Sequence, residues 1–286
     1  MAFTEKQLRV TFNLSDGSSK TIAGKRIVAK VSNAGAPSQG QLDCVIFGLR
    51  LSDMNQMSTV GTQWGVFNQN KVTLEGGDAS RMNLIFKGTI GIAFVDANAQ
   101  PEVCFRFNAV AAGYESVSPI DPTSNETDTD VVQTLQQIAT KAGLGFENNG
   151  VNIKIGPQYL AGSALEQIRV LCDAAGIMWI IENNSLAIWN PGQARKGAAV
   201  LISPQTGMIG YPAFSTNSII VRTQFNPQLK FGCQIEVKSD LTPATGTWNT
   251  FYVAHDLSAQ LPGGPWLSEI RATPASPGAP VLAQIP

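Results

Sequence analysis

The chain's single histidine, His255, stands beside a carboxylate in Tyr252-Val253-Ala254-His255-Asp256, and a His/Asp pair is one way to build a general base. The run reads as a strand, however, and neighbours on a strand point to opposite faces. A structural or interface histidine is therefore the expectation. The cysteines Cys44, Cys104, Cys172 and Cys233 are far apart and form no CxxC pair, so they read as small buried hydrophobes. With one histidine they supply no zinc-ligand set. Asp121, Glu126, Asp128 and Asp130 cluster in sequence, and a hydrolase could use two such carboxylates. Their position in a polar linker ahead of a helix suits solvated capping charge instead. Gly76-Gly77-Asp78 is too short for a phosphate loop and reads as a turn; no GxxxxGK[ST], GxGxxG or GxSxG is present. The tryptophans Trp64, Trp179, Trp189, Trp248 and Trp266 could stack sugars or bases, but they fall in different elements, which favours packing. No catalytic, cofactor-binding or metal-binding residue is expected, and the chain is not expected to be an enzyme.

Charge narrows the class further. Twenty basic and twenty-one acidic residues give a net charge of -1, and charged residues make up 14 % of the 286, against roughly 25 % in a typical globular domain. Such a surface repels its own copies weakly and favours association. It also lacks the clustered Lys/Arg that nucleic-acid backbones require. The start, Met1-Ala2-Phe3-Thr4-Glu5-Lys6, has no basic segment leading into an apolar one, and no apolar run is long enough to span a bilayer. A soluble protein made in a cytoplasm is the expectation.

The elements that must position these residues are mainly β with an α+β insert. Over residues 1–119, period-two alternation puts Leu8, Val10, Phe12 and Leu14 on one face, and likewise Ile27, Ala29 and Val31, then Leu42, Cys44 and Ile46. Asp16-Gly17, Gly35 and Gly76-Gly77-Asp78 punctuate the strands, and residues 51–57 suit a short helical turn. About six strands with close turns suggest a small closed barrel or sandwich. Residues 120–197 change character. Asp128 or Thr129 is placed as an N-cap, Val131, Leu135, Ile138 and Ala142 recur at helical spacing, and Gly143 stands at C′. A second helix begins at the capping box Ser163-Ala164-Leu165-Glu166, carries Leu165, Ile168, Leu171, Cys172 and Ala175, and ends at Gly176. The two stretches are an internal repeat: Leu135-Gln136-Gln137-Ile138 matches Leu165-Glu166-Gln167-Ile168, and Glu147-Asn148-Asn149 matches Glu182-Asn183-Asn184. Each unit reads helix, strand, turn, strand, and paired hairpins would make one sheet with both helices on one face. Alternation returns over residues 198–273, a second β-module with strands near 199–203, 218–223, 234–238, 249–254 and 266–271. Residues 274–286 are Pro-rich and expected to be extended.

Three stretches carry a resemblance to the baseplate hub family of contractile-tailed phages, which includes late-control tail proteins and the hub-like half of type VI secretion spikes. Phe86-Lys87-Gly88-Thr89-Ile90 is similar to the family's F-x-G-x-I strand. Residues 219–232, with Asn226-Pro227-Gln228-Leu229 at their centre, resemble its N-P-x-L-x-x-G stretch. Residues 255–266 resemble its H-x-L-D…G…W return, departing at Ser258 where the pattern has an acid. The resemblance implies two tube-like antiparallel β-barrel modules flanking the helix-hairpin insert. It implies a homotrimeric ring that joins a hexameric tail tube to a trimeric central spike, among other baseplate proteins. DNA would be passing cargo only, and the chain would reside in the virion tail after assembly in the host cytoplasm. The expected partner-contacting residues are Phe225, Pro227, Leu229, Leu261, Pro262 and Trp266, together with Val281, Leu282 and Ile285 of an arm that docks on a partner chain. A carbohydrate- or single-strand-binding β-barrel with tryptophans as platform is the alternative, and a hydrolase built on the Asp121–Asp130 carboxylates a third reading.

Overall fold

The computed structural model describes residues 5–58, 70–98 and 100–275. The first part holds β1 (Gln7–Asn13), β2 (Ser19–Ala23), β3 (Ile27–Asn33), β4 (Gln41–Phe47), α1 (Leu51–Met57), β5 (Lys71–Gly77), β6 (Met82–Asp96), β7 (Cys104–Val110) and α2 (Gly113–Val117). Its strands pair antiparallel in the order β2-β1-β5-β6-β7-β4-β3. The alternation read from sequence is the cause: Leu8, Val10 and Phe12 are buried on one face of β1, while Leu14 packs at the margin of the same core. At its centre Phe12 meets the rings of Phe107 at 5.1 Å and Phe105 at 6.1 Å, in the edge-to-face arrangement aromatic quadrupoles prefer.

The middle part holds β8 (Thr123–Asn125), β9 (Thr129–Asp130), α3 (Val131–Lys141), β10 (Gly145–Asn148), β11 (Lys154–Ile155), β12 (Gln158–Leu160), α4 (Ala164–Ala175), β13 (Met178–Glu182) and β14 (Ser185–Trp189). Gly143 and Gly176 end the helices at φ +67° and +62°, the left-handed conformation that glycine adopts without strain. Ser163 caps α4 by accepting from the Glu166 N–H. The N-cap of α3 is Asp130, not Asp128 or Thr129: its carboxylate accepts from the Gln133 N–H at 3.0 Å, while Thr129 is held one residue earlier in β9. The second repeat unit forms the expected hairpin, β13 to β14, turned by Asn183 and Asn184 at positive φ. The first unit does not. Asn148 Oδ1 accepts from the N–H groups of Gly150 and Val151 and turns the chain away, so β11 pairs with β9. β10 instead joins β14 in parallel, giving a three-stranded sheet β10-β14-β13. The helices pack on each other and bury Leu135, Ile138, Ile168 and Leu171, with Leu165 half-buried at the edge. Because Ile168 is fully buried, Ile168→Val should cost about 0.5–1.5 kcal/mol in urea unfolding. A cost near zero would show that the stripe is not core.

The last part holds β15 (Val200–Ile202), β16 (Ala213–Ser215), β17 (Ser218–Gln224), β18 (Gln234–Val237), β19 (Gly246–Ala259) and β20 (Trp266–Pro274). β19 is long enough to pair twice along one side. Residues 246–249 bond to β18, and residues 253–259 bond antiparallel to β3. That second ladder joins both β regions into one 13-stranded sheet, β16-β17-β20-β19-β3-β4-β7-β6-β5-β1-β2, with β18 and β15 branching from β19. The chain is thus mainly β with few helices, as expected. The ladder does not close into two barrels: β3 and β19 satisfy each other where closure of each region on itself would be needed, and β2 and β16 are left as ends. Separate cores lie on the two regions, one around Phe12 and one of Ile219, Val221, Ile235, Trp248 and Ile270.

Candidate functional site

The residues with catalytic potential are dispersed into structural duties. Asp121, Glu126 and Asp128 are exposed, and Asp130 is the helix cap already described. Cys44 and Cys172 are buried, and burial pushes both thiols far up from their ordinary value. Among the described residues no group of three His, Cys, Asp or Glu side chains could hold a metal ion. His255 lies on β19 with its Nδ1 2.8 Å from Ser268 Oγ on β20, and Phe225 meets its ring edge-on at 5.2 Å. Burial alone pushes its pKa down to about 4. Asp256 pairs across from Lys30 and Leu267 instead, one position along the strand. Of the tryptophans, Trp179, Trp189 and Trp248 are buried and Trp266 is half-buried, while Trp64 lies outside the described residues. No stacking platform is exposed among the described ones.

The strongest electrostatic feature is a joint that sequence reading did not single out. Arg195, in the segment leaving the middle part, is 7 % exposed. Its guanidinium donates to Glu147 of β10 through two nitrogens, at 2.8 and 3.3 Å, and to Glu182 of β13 at 3.0 Å. It also donates to the Phe231 carbonyl at 3.2 Å. Asn33 of β3 donates to the second oxygen of Glu182 at 3.2 Å. The guanidinium therefore ties both insert carboxylates to the last β region, and Glu182 in turn reaches the first through Asn33. Burial disfavours its charge, but the Glu147 hydrogen bonds and the charges of both carboxylates outweigh burial and hold Arg195 protonated. Burial would raise Glu147, yet the hydrogen bonds and charge of Arg195 hold it below the usual carboxylate range. The packing leaves no room for alternatives: a Cβ on Gly232 would meet Trp189 at 2.8 Å, and one on Gly35 would meet the Phe231 ring at 2.1 Å. A signal was available. Glu147 and Glu182 occupy equivalent positions of the repeat, and a duplicated carboxylate asks for a shared cation.

The expected partner-contacting residues separate into three groups. Phe225 and Trp266 come together edge-to-face at 5.4 Å, and Lys6 sits over the Trp266 ring. Pro227, two residues after Phe225, is half-buried, while Leu261 and Pro262 are exposed in the β19–β20 turn. Leu229 is buried inside the chain's own second core, so its side chain faces no partner in this structure. Val281, Leu282 and Ile285 lie outside the described residues. Sequence reading also missed the sheet end at β16, where every residue is exposed and Ile209, Tyr211 and Phe214 present large apolar side chains.

The fold is one that solved phage-tail and secretion-system proteins share. Its fold matches the 43 kDa tail protein of prophage MuSo2 from Shewanella oneidensis with a TM-score of 0.64 at 9 % identity, covering 96 % of this chain and 97 % of that one. It matches the tail protein from Neisseria meningitidis MC58 at 0.61 and 8 % identity, covering 93 % and 96 %. It also matches the E. coli c3393 protein, a type VI secretion component described as structurally similar to the T4 tail proteins gp27 and gp5, at 0.56 and 10 % identity, covering 97 % and 75 %. No curated protein matches in sequence. The chain belongs to the family described as baseplate hub gp41, which it matches over residues 7–261.

Proposed function

We propose that the chain is a non-enzymatic structural subunit of a phage baseplate, a homotrimeric hub that joins a hexameric tail tube to a central spike. Family membership carries the reading, and the open sheet supports it. Two β regions, proposed as modules 1–119 and 198–273, flank the insert of residues 120–197, with residues 274–286 as a tail. Three copies of two modules give six, which meets sixfold symmetry on one face and threefold on the other. Among the described residues β2 and β16 have no outer strand partner, and near-zero net charge lets copies approach such edges. Contacts with tube, spike and other baseplate proteins, with DNA passing as cargo and no membrane association, follow from that position in a virion tail. Phe225, Pro227, Leu261, Pro262 and Trp266 are the residues proposed to face partners. Native mass spectrometry of the chain with its spike and tube proteins should give a species of three chains. A chain that stays monomeric with both present would sink the hub role.

A further inference from the structure

The two β regions share one plan over five strands. β3-β4-β7-β6-β5 stand side by side in the first and β16-β17-β20-β19-β18 in the second, in matching chain order and with every neighbouring pair antiparallel. The match stops there, because β15 runs parallel to β18 where β1 runs antiparallel to β5. β6 and β19 are the long strands, and each slips register at the same place in its next ladder, after Ile90 against β7 and after Thr250 against β20. At that place the Ile90 N–H donates to the Asn70 carbonyl and the Thr250 N–H to the Cys233 carbonyl. These marks fix which residues correspond. Ile90 and Thr250 face Ala109 and Ala272; past the slips, Ala93 and Val253 face Phe107 and Ile270. Phe94 and Val95 therefore correspond to Ala254 and His255. Val31 reaches Ala109 through Leu42, and Phe214 reaches Ala272 through Ile219, so Val31 and Phe214 correspond as well.

One contact of this plan is made within the chain and its equivalent is not. β3 pairs with the far half of β19, with Val31 opposite His255 and both buried. The equivalent contact joins β16 to the far half of β6 and sets Phe214 opposite Val95, Ser215 opposite Phe94 and Ala213 opposite Asp96. Within the chain β16 and β6 are separated by six intervening strands, and neither has a strand partner on that side among the described residues. Exposure follows from this difference. Phe214 and Phe94 are 45 % and 46 % exposed, where the corresponding Val31 and Ala254 are 6 % and 5 %. Edges of this kind are templates for pairing. Charge does not oppose it: Ala213, Phe214 and Ser215 are neutral, and Asp96 is already held by Arg106 at 2.7 Å.

We propose that β16 of one copy adds antiparallel to residues 94–96 of β6 in a second copy, repeating between chains the ladder that β3 and β19 make within each. The proposal rests on the reading of the chain as a self-associating hub subunit, and it names the strands that meet. Each copy offers one edge of each kind, which is the head-to-tail contact from which rings are built. Disulfide trapping on the full chain alone tests it. Residues opposite each other in a ladder have Cα atoms about 4.5–5.5 Å apart, within the range a disulfide spans. A Phe94→Cys chain mixed with a Ser215→Cys chain and oxidised should give the mixed disulfide dimer. Its yield should exceed by at least about tenfold that of a control mixture with Leu84→Cys, exposed on the other half of β6, in place of Phe94→Cys. Adding Phe214→Asp to the Ser215→Cys chain, with circular dichroism showing that it folds, should bring the yield down to the control. A yield no greater than the control overturns the proposal, as does trapping that Phe214→Asp leaves unchanged. A product made mainly of two Ser215→Cys chains also overturns it, because β16 would then pair with itself. The chain count with the spike and tube proteins is a separate measurement: three chains without the trap overturn this contact and leave the hub role, and the trap without three chains does the reverse.

Discussion

Replacing Arg195 with methionine should lower the unfolding free energy by about 3–5 kcal/mol, read from the midpoint and slope of a urea titration. Methionine keeps much of the side chain's apolar stem, so packing around Trp189 and Gly232 is largely retained. What is lost is the cation between Glu147 and Glu182. Glu182 has a carboxylate side chain only 19 % exposed, and removing its partner leaves that charge in a poorly solvated place with the Asn33 amide as its remaining donor. The Phe231 carbonyl loses a donor as well. Desolvation makes a specific second prediction. Adding Glu147→Gln and Glu182→Gln to Arg195→Met should recover part of the loss, because neutral amides carry a smaller burial penalty than unpaired carboxylates. A loss under about 1 kcal/mol in the single variant, or a further loss in the triple, would show that the guanidinium does not hold the joint. The functional consequence concerns geometry: Arg195 holds β10 and β13 to the Phe231 segment of the last β region and steadies the Glu182 carboxylate that Asn33 of the first region bonds, so the variant should also lose exchange protection across residues 145–149 and 178–196 before global unfolding.

The parts of the fold legible in the sequence are those whose cause is local. β1, β3 and β4 follow from alternation that survives as buried and exposed faces, and α3 and α4 from apolar stripes ended by Gly143 and Gly176. What escaped was set by distant partners. Nothing in Ile27–Asn33 or in Gly246–Ala259 announces that these strands pair, and that single ladder converts two expected barrels into one open sheet. The first repeat unit kept the Glu-Asn-Asn sequence of the second but not its hairpin, since Asn148 folds back on Gly150 and Val151. Arg195 looked like an ordinary linker residue because its carboxylates are 48 and 13 positions away. β16 was invisible for the opposite reason, being three exposed residues with no buried periodicity to detect. Leu229 was read as contact surface on the strength of its motif, and the loop instead turns it into the core.

Acid should weaken the fold through His255 before it weakens it through carboxylates. The imidazole is buried, its Nδ1 is engaged by a fully buried Ser268, and Phe225 lies edge-on to its ring, so the folded chain holds it neutral with a pKa near 4. In the unfolded chain it titrates near its ordinary value of 6.5. Between those values the unfolded state binds the extra proton, and stability must rise with pH across that window. The contribution is therefore complete above about pH 6.5 and is lost as pH falls toward 4. The drop approaches 1.4 kcal/mol per pH unit and totals about 3 kcal/mol. The carboxylates whose pKa is lowered, Asp96 and Glu147 among them, begin to lose their contribution only near their unfolded values of 3.8 and 4.5, so the interval from 6.5 to 4.5 reports mainly the histidine. His255→Gln keeps a polar group for Ser268 and cannot take the proton. Urea unfolding at half-unit steps of pH should show a slope in the native chain that is absent in the variant. A native slope that persists unchanged in His255→Gln would mean that another group carries the acid sensitivity.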